Sequence, residues 1–253
     1  MLARSKPAMS TTFIVYLAII AACSLLGGML PLAANWSNRS LIMPVSFSGG
    51  VLLGAAFFDM IPESSVLLGA KIGLPLMAGF LLIFVLEHFL IVHPHPEEAA
   101  EHGQAHHIHM GLTAYAGLSV HSLLDGLALS SAYRTPALGA VVTLAIVLHT
   151  IPTAFALTSL LLLDRWARGA IVLWMTLFAL SIPAGALITW LMLVDAGSSI
   201  IGAAIALSAG TFLAIATSDL LPQIREHENP RNMPLVFLFA GLFVCWLSSL
   251  LAF

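Results

Sequence analysis

The sequence predicts an all-α integral membrane protein, and three observations carry that fold class. Apolar residues make up 60% of the 253 positions and charged residues only 8%, with a mean hydropathy of +1.01. A soluble domain usually carries about a quarter charged residues, so most of this surface must face lipid. The apolar residues also fall into eight runs, each near or above the roughly 20 residues a spanning helix needs. Finally, two pairs of those runs repeat each other's motifs. The net charge of −3 gives no footing for a nucleic-acid partner. Cys23 and Cys245 lie within apolar runs, where a thiol is a small buried residue and carries no redox signature.

Turn residues and charges punctuate the runs. The first helix spans about 12–33 and is followed by Asn35, Asn38 and Arg39. Arg4 and Lys6 before it, and Leu32-Ala33-Ala34 at its end, resemble a secretory signal. Its apolar stretch exceeds the 7–15 residues typical of such signals, which favours a spanning helix. The second helix spans about 41–68 and the third about 73–92, parted by Gly69-Ala70-Lys71. The fourth (about 111–133) and fifth (about 137–163) are parted by Arg134-Thr135-Pro136. Asp164, Arg165 and Arg168 precede the sixth, about 169–194, and Asp195-Ala196-Gly197 the seventh, about 198–222. The charged run from Arg225 to Arg231 cannot sit in hydrocarbon and separates the eighth, about 233–252. The whole chain, 1–253, reads as one polytopic domain.

One connection is long. From His93 to His109 it holds six histidines (93, 95, 102, 106, 107 and 109), three glutamates (97, 98 and 101) and no lysine or arginine. A His-rich tract of this kind is a candidate metal binder, or simply a polar loop.

An internal repeat orders the helices. Gly50, Asp59 and Pro62 in the second helix recur at the same spacing as Gly210, Asp219 and Pro222 in the seventh. In the fourth, His121 is followed by Asp125 and Ala128-Leu129-Ser130. In the fifth, His149 is followed at the same offsets by Thr153 and Ala156-Leu157-Thr158. The pairs 2/7 and 4/5 are nested about one centre, and an odd step in helix number reverses direction. That is an inverted repeat, an architecture in which transporters bind substrate near the midplane.

Ionisable groups in mid-membrane are functional candidates by default. His121 and Asp125 stand four residues apart, so they share a helix face. His149 lies near the middle of the neighbouring helix. Two imidazoles and a carboxylate suit a borderline divalent ion such as Zn²⁺. Pro152 frees the backbone carbonyl of residue 148 beside this point. Ser122, Thr150 and Thr153 offer weak oxygen contacts. Asp59 with Glu63 lies toward one end of the second helix, and Asp219 toward the opposite face. Each is either a pathway residue or an interfacial one. Glu87-His88 reads as interfacial.

These motifs resemble the ZIP (zinc/iron-regulated-like) family of divalent-metal transporters. Leu118-Ser-Val-His121-Ser-Leu-Leu-Asp125-Gly126 is similar to that family's fourth-helix signature, and His149-Thr-Ile-Pro152-Thr153 to its fifth-helix partner. Gly50 to Glu63, Ala78 to Leu82, Ser181 to Ala186 and Ala209 to Pro222 also match. The resemblance implies a 3+2+3 helix arrangement, both termini outside the cytosol and metal uptake toward the cytosol. It also implies alternating access, with helices 1, 4, 5 and 6 moving against helices 2, 3, 7 and 8. The family often has Glu where Thr153 stands, an acidic or amide residue at Thr150, Asn at Ser122, Pro at Leu124 and His at Asp59. Without a carboxylate at 153, the group that would bridge two metals is missing. A single-metal site, or a changed preference among Zn²⁺, Cd²⁺, Fe²⁺, Mn²⁺ and Co²⁺, is the consequence expected.

The function expected is therefore Zn²⁺ uptake through a midplane His/Asp site in the cell membrane, with no enzymatic activity and with Zn²⁺ as cargo. The metal-binding set read from the sequence is His121, Asp125, His149, Asp59, Glu63, Ser122 and Thr153. The expected partners are divalent metal ions and the bilayer, and a homodimer is among the expected assemblies. With the N-terminus outside, five cations face the cytosol against four outside, so charge alone leaves the orientation open. An intramembrane zinc-dependent hydrolase is the alternative, with three protein ligands holding a metal-bound water. It leaves the repeat unexplained. A metal-sensing receptor would suit the His-rich loop but has the same defect.

Overall fold

The computed structural model describes residues 9–33, 38–90, 110–133, 136–192, 197–226 and 232–252. These are helical throughout apart from short turns, and no strand occurs among the described residues. Helix α1 (Thr11–Met29) starts where the Ser10 hydroxyl accepts the Phe13 amide at 3.2 Å, and it tightens into a 3₁₀ turn over Leu30–Ala33. Helix α2 (Asn38–Gly54) passes through a π-helical turn (Ala55–Met60) into α3 (Ile61–Leu68). Gly69, at φ 57°, lets the chain turn there into α4 (Gly73–Leu90). Helices α5 (Met110–Ala132) and α6 (Pro136–Leu163) follow. Next come α7 (Arg168–Ala179) and α8 (Ser181–Met192). Helix α9 (Ser198–Ala214) passes through a second π turn (Ile215–Leu220) into α10 (Leu221–Glu226), and α11 is Met233–Ala252.

Three interruptions were not expected from the apolar runs, and prolines account for each. The stretch read as a sixth helix, about 169–194, is divided at Leu180 into α7 and α8. Pro183 has no N–H to offer the Ala179 carbonyl, and its ring crowds that oxygen. Pro62 and Pro222 stand in the same relation to residues 58 and 218. Each of those residues lies inside a π turn, where a wider loop relieves the clash. Pro152 is accommodated within α6, which runs continuously past it.

Glycines decide which helices come closest. A methyl group at Gly50 or Gly241 would strike backbone across the α2/α11 contact, and one at Gly79 or Gly210 would do so across α4/α9. Gly126 and Gly185 act alike between α5 and α8, and Gly27 meets Ile151 between α1 and α6. Small residues that bring backbones together are how helices gain dispersion contact in lipid, where hydrophobic burial gives no drive. Many hydroxyls inside the body bond their own helix. Ser46, Ser48, Ser64, Thr143, Ser159 and Thr189 each donate to the carbonyl one turn back.

The outer surface is apolar, with Val66, Leu74, Leu26 and Phe84 among its exposed side chains. Six stretches are long and apolar enough to cross a membrane: Thr11–Ala33, Leu41–Leu86, Val142–Leu163, Arg168–Leu191, Ser198–Ser218 and Met233–Leu250. Aromatic clusters mark both ends of α5. Tyr133 packs with Phe13 and Tyr16 at one, and Tyr115 meets Trp174, which also meets Trp166, at the other. Amphipathic rings at two levels are what membrane interfaces select. This is a multi-pass membrane protein.

Candidate metal site

Helix α5 sets His121 and Asp125 one turn apart on one face, and α6 brings His149 against them. His121 Nε2 lies 3.0 Å from Asp125 Oδ2, and His149 Nε2 lies 3.1 Å from the same oxygen. The two imidazole centroids are 5.6 Å apart. One ligand atom from each residue falls within 4.8 Å of the other two, and this is the one such His/Cys/Asp/Glu cluster among the described residues. His121 is buried, while Asp125 and His149 are partly open.

The two histidines meet the carboxylate differently. His149 Nε2 approaches Oδ2 along a hydrogen-bond direction. His121 Nε2 is as close but lacks hydrogen-bond geometry, and it has no other partner. A buried nitrogen of that kind costs free energy unless something accepts its lone pair. Bonds of 2.0–2.1 Å arranged tetrahedrally place ligand atoms about 3.3 Å apart. The two histidine–carboxylate separations, 3.0 and 3.1 Å, are close to that, and all three ligand atoms lie within 4.8 Å, so one ion could draw them together. Two imidazole nitrogens and one carboxylate oxygen are a donor set suited to Zn²⁺ and its first-row neighbours.

Helix α9 closes the site. Ser208 Oγ is hydrogen-bonded to His121 Nδ1, and the Phe212 ring packs 4.0 Å from the His121 ring, centroid to centroid. Neither residue was singled out from the sequence. The repeat did hold a signal, because Ser208 precedes Gly210 as Ser48 precedes Gly50.

Other expected site residues stand outside the cluster. Asp59 lies in the first π turn, half-buried, and Glu63 is exposed in the first turn of α3. Asp59 is close enough to His149, and Glu63 to Asp125, Asp59 and His149, for their charges to interact. Both are acidic neighbours of the triad, Asp59 the less exposed of the two. The Thr153 hydroxyl donates to the His149 carbonyl at 2.7 Å, one turn beyond the triad, and Ser122 and Thr150 are buried. The side chains of Asp219, Glu87 and His88, and the loop from His93 to His109, lie outside the described residues.

A family model described as ZIP zinc transporter matches residues 93–249, well over half the chain and all three triad residues. This chain belongs to the ZIP zinc transporter family. Zinc transporter ZIP9-A of Xenopus laevis is 28% identical over 261 residues, covering 85% of each chain. Zinc transporter ZIP1 of Danio rerio is 25% identical over 271 residues, covering 85% of this chain and 89% of its own. The bacterial zinc transporter ZupT of Enterobacter sp. (strain 638) is 27% identical over 226 residues, covering 85% of this chain and 86% of its own. The match therefore spans most of this ZIP chain as well as the triad.

Proposed function

We propose that this ZIP chain carries divalent metal, Zn²⁺ foremost, across the cell membrane through a site formed by His121, Asp125 and His149. One observation carries the reading: three ligand atoms within 4.8 Å of one another, on two adjacent helices inside an apolar helical body. A site so enclosed lets an ion exchange its hydration shell for two imidazoles and a carboxylate midway across.

The crossing is best read as eight helices in a 3+2+3 order. Leu41–Leu86 turns at Gly69 and so makes two passes, and α5, at 23 residues, is long enough for another. Two π turns at matched places, and matched glycine contacts for α2/α11 and α4/α9, support the inverted repeat. In this reading both termini are outside, Glu63 and Asp59 receive the ion from the external face, and transport runs toward the cytosol. Alternation moves α1, α5, α6, α7 and α8 against α2, α3, α4, α9, α10 and α11. The four glycine-tied helix contacts each stay within one of these groups. Co²⁺, Fe²⁺, Mn²⁺ and Cd²⁺ suit the same donors and are the competing cargoes.

The test is Zn²⁺ flux into proteoliposomes holding the purified chain and a trapped fluorescent reporter. Saturable uptake, absent from empty liposomes, is the expected result. Metal-dependent hydrolysis of a peptide or lipid without flux would overturn the proposal in favour of an intramembrane enzyme.

A further inference from the structure

We propose that Ser208 is a positioning residue for metal capture: its hydroxyl holds the Nδ1–H of His121, fixing the tautomer and ring angle that present Nε2 to the ion. This rests on the reading of His121 as a ligand and adds a residue to it.

Ser208 is buried on α9, and its Oγ is hydrogen-bonded to His121 Nδ1 on α5. An imidazole has one lone pair to give in its neutral form, and the nitrogen bearing the proton cannot ligate. A hydroxyl both donates and accepts, but His121 Nε2 has no hydrogen-bond acceptor in line to take a proton, so the Nδ1–H tautomer, with Ser208 Oγ accepting, is the one assigned. That Nε2 is the atom with no hydrogen-bond partner, 3.0 Å from Asp125 Oδ2. Four residues on along α9, Phe212 packs its ring against His121 and restricts the remaining rotation. Two side chains of one helix thus grip a ligand that belongs to another.

The second histidine is held differently. The His149 ring is hydrogen-bonded at Nε2, to Asp125 Oδ2 at 3.1 Å. Ser48, which matches Ser208 in the repeat, donates its hydroxyl to the Pro44 carbonyl at 2.6 Å. The serine of the second half bonds a histidine and the serine of the first half bonds its own helix, so the two halves of the repeat are not equivalent at the metal. Groups that bond the far nitrogen of a ligating histidine typically contribute 10–100-fold in metal affinity.

The experiment is Zn²⁺ titration of the full chain purified in detergent, with thermal unfolding of each variant recorded alongside. Ser208→Thr and Ser208→Val share one shape and differ in the hydroxyl, so steric damage cancels between them. We expect Ser208→Val and Ser208→Ala to bind Zn²⁺ about 10–100-fold more weakly than Ser208→Thr, at matched unfolding temperatures. With ¹⁵N-labelled histidine and no metal, His121 should show the Nδ1–H tautomer in wild type and a mixture in Ser208→Val. Equal affinities for the Thr and Val variants would overturn the role of Ser208, as would an unchanged tautomer. If His121→Ala abolishes binding while those two variants agree, the metal site stands and only the positioning role fails. If His121→Ala binds and transports normally, the site itself is misplaced and this inference falls with it.

Discussion

Asp59 and Asp219 occupy corresponding positions in two π-helical turns, each beginning five residues after a glycine and ending two before a proline. The turns are Ala55–Met60 and Ile215–Leu220, following Gly50 and Gly210 and preceding Pro62 and Pro222. A π turn adds a residue to the helical loop and so re-aims every side chain beyond it. In the first half, the turn carries Asp59, with Glu63 four residues further on and both within electrostatic reach of His149.

The proposed place of Asp59 and Glu63 at the external mouth predicts a salt-dependent affinity. Carboxylates at a mouth raise the local concentration of divalent cations, and added salt screens that attraction. Asp59→Asn should raise the external Zn²⁺ concentration needed for half-maximal uptake, and by a larger factor at low ionic strength. A shift that stays the same across ionic strengths would mean Asp59 acts structurally.

The missing carboxylate at position 153 predicts one tightly held ion. Thr153 is neutral and its hydroxyl is committed to the His149 carbonyl, so it does not offset repulsion between two neighbouring cations. Thr153→Glu places a charge one turn from His149 and should raise the bound Zn²⁺ per chain or tighten binding. Equilibrium dialysis with metal analysis reads this directly. Two strongly bound ions per unaltered chain would contradict it.

Much of this site was legible in the sequence, because its signals are local. His121 and Asp125 are joined by helical spacing, and His149 lies at matching depth on the next helix in sequence. The contact of Ser208 and Phe212 with His121 was not legible, since it depends on how α9 docks on α5. The π turns were hidden because hydropathy does not see a one-residue widening, although the prolines that favour it were in view. The break at Leu180 went unread for the same reason, with Pro183 close by.

Asp164 predicts a pH-dependent stability outside the spanning segments. It follows α6, is buried, and accepts the Gly111 amide at 2.5 Å where α5 begins. Burial pushes its carboxyl up to about 7 from an ordinary 3.8, opposed by the Gly111 N–H. Between those values the folded chain holds a proton that the unfolded chain has released. Stability from this group therefore falls as pH rises from about 4 to about 7 and levels off above. Asp164→Asn keeps an acceptor for Gly111 without the charge. Its gain in unfolding temperature over wild type should be larger at pH 8 than at pH 5. A gain that does not change with pH would contradict the assignment.

The glycine contacts predict where bulk is not tolerated. A side chain at Gly241 would meet the backbone of Phe47, Gly50 and Val51, whereas Gly169 has open space around it. Gly241→Val should cost about 1–3 kcal/mol by overpacking the α2/α11 contact. Gly169→Ala should be neutral or slightly stabilising. Unfolding temperatures of the two variants in the same detergent provide the comparison.

The central claim is that metal crosses by way of the triad, and Zn²⁺ flux through the three single variants tests it most directly. His121→Ala, Asp125→Ala and His149→Ala each remove one ligand from a site with three, so each should lose most of its uptake while still inserting and purifying as wild type does. If any two of the three transport Zn²⁺ at the wild-type rate, the ion takes another path.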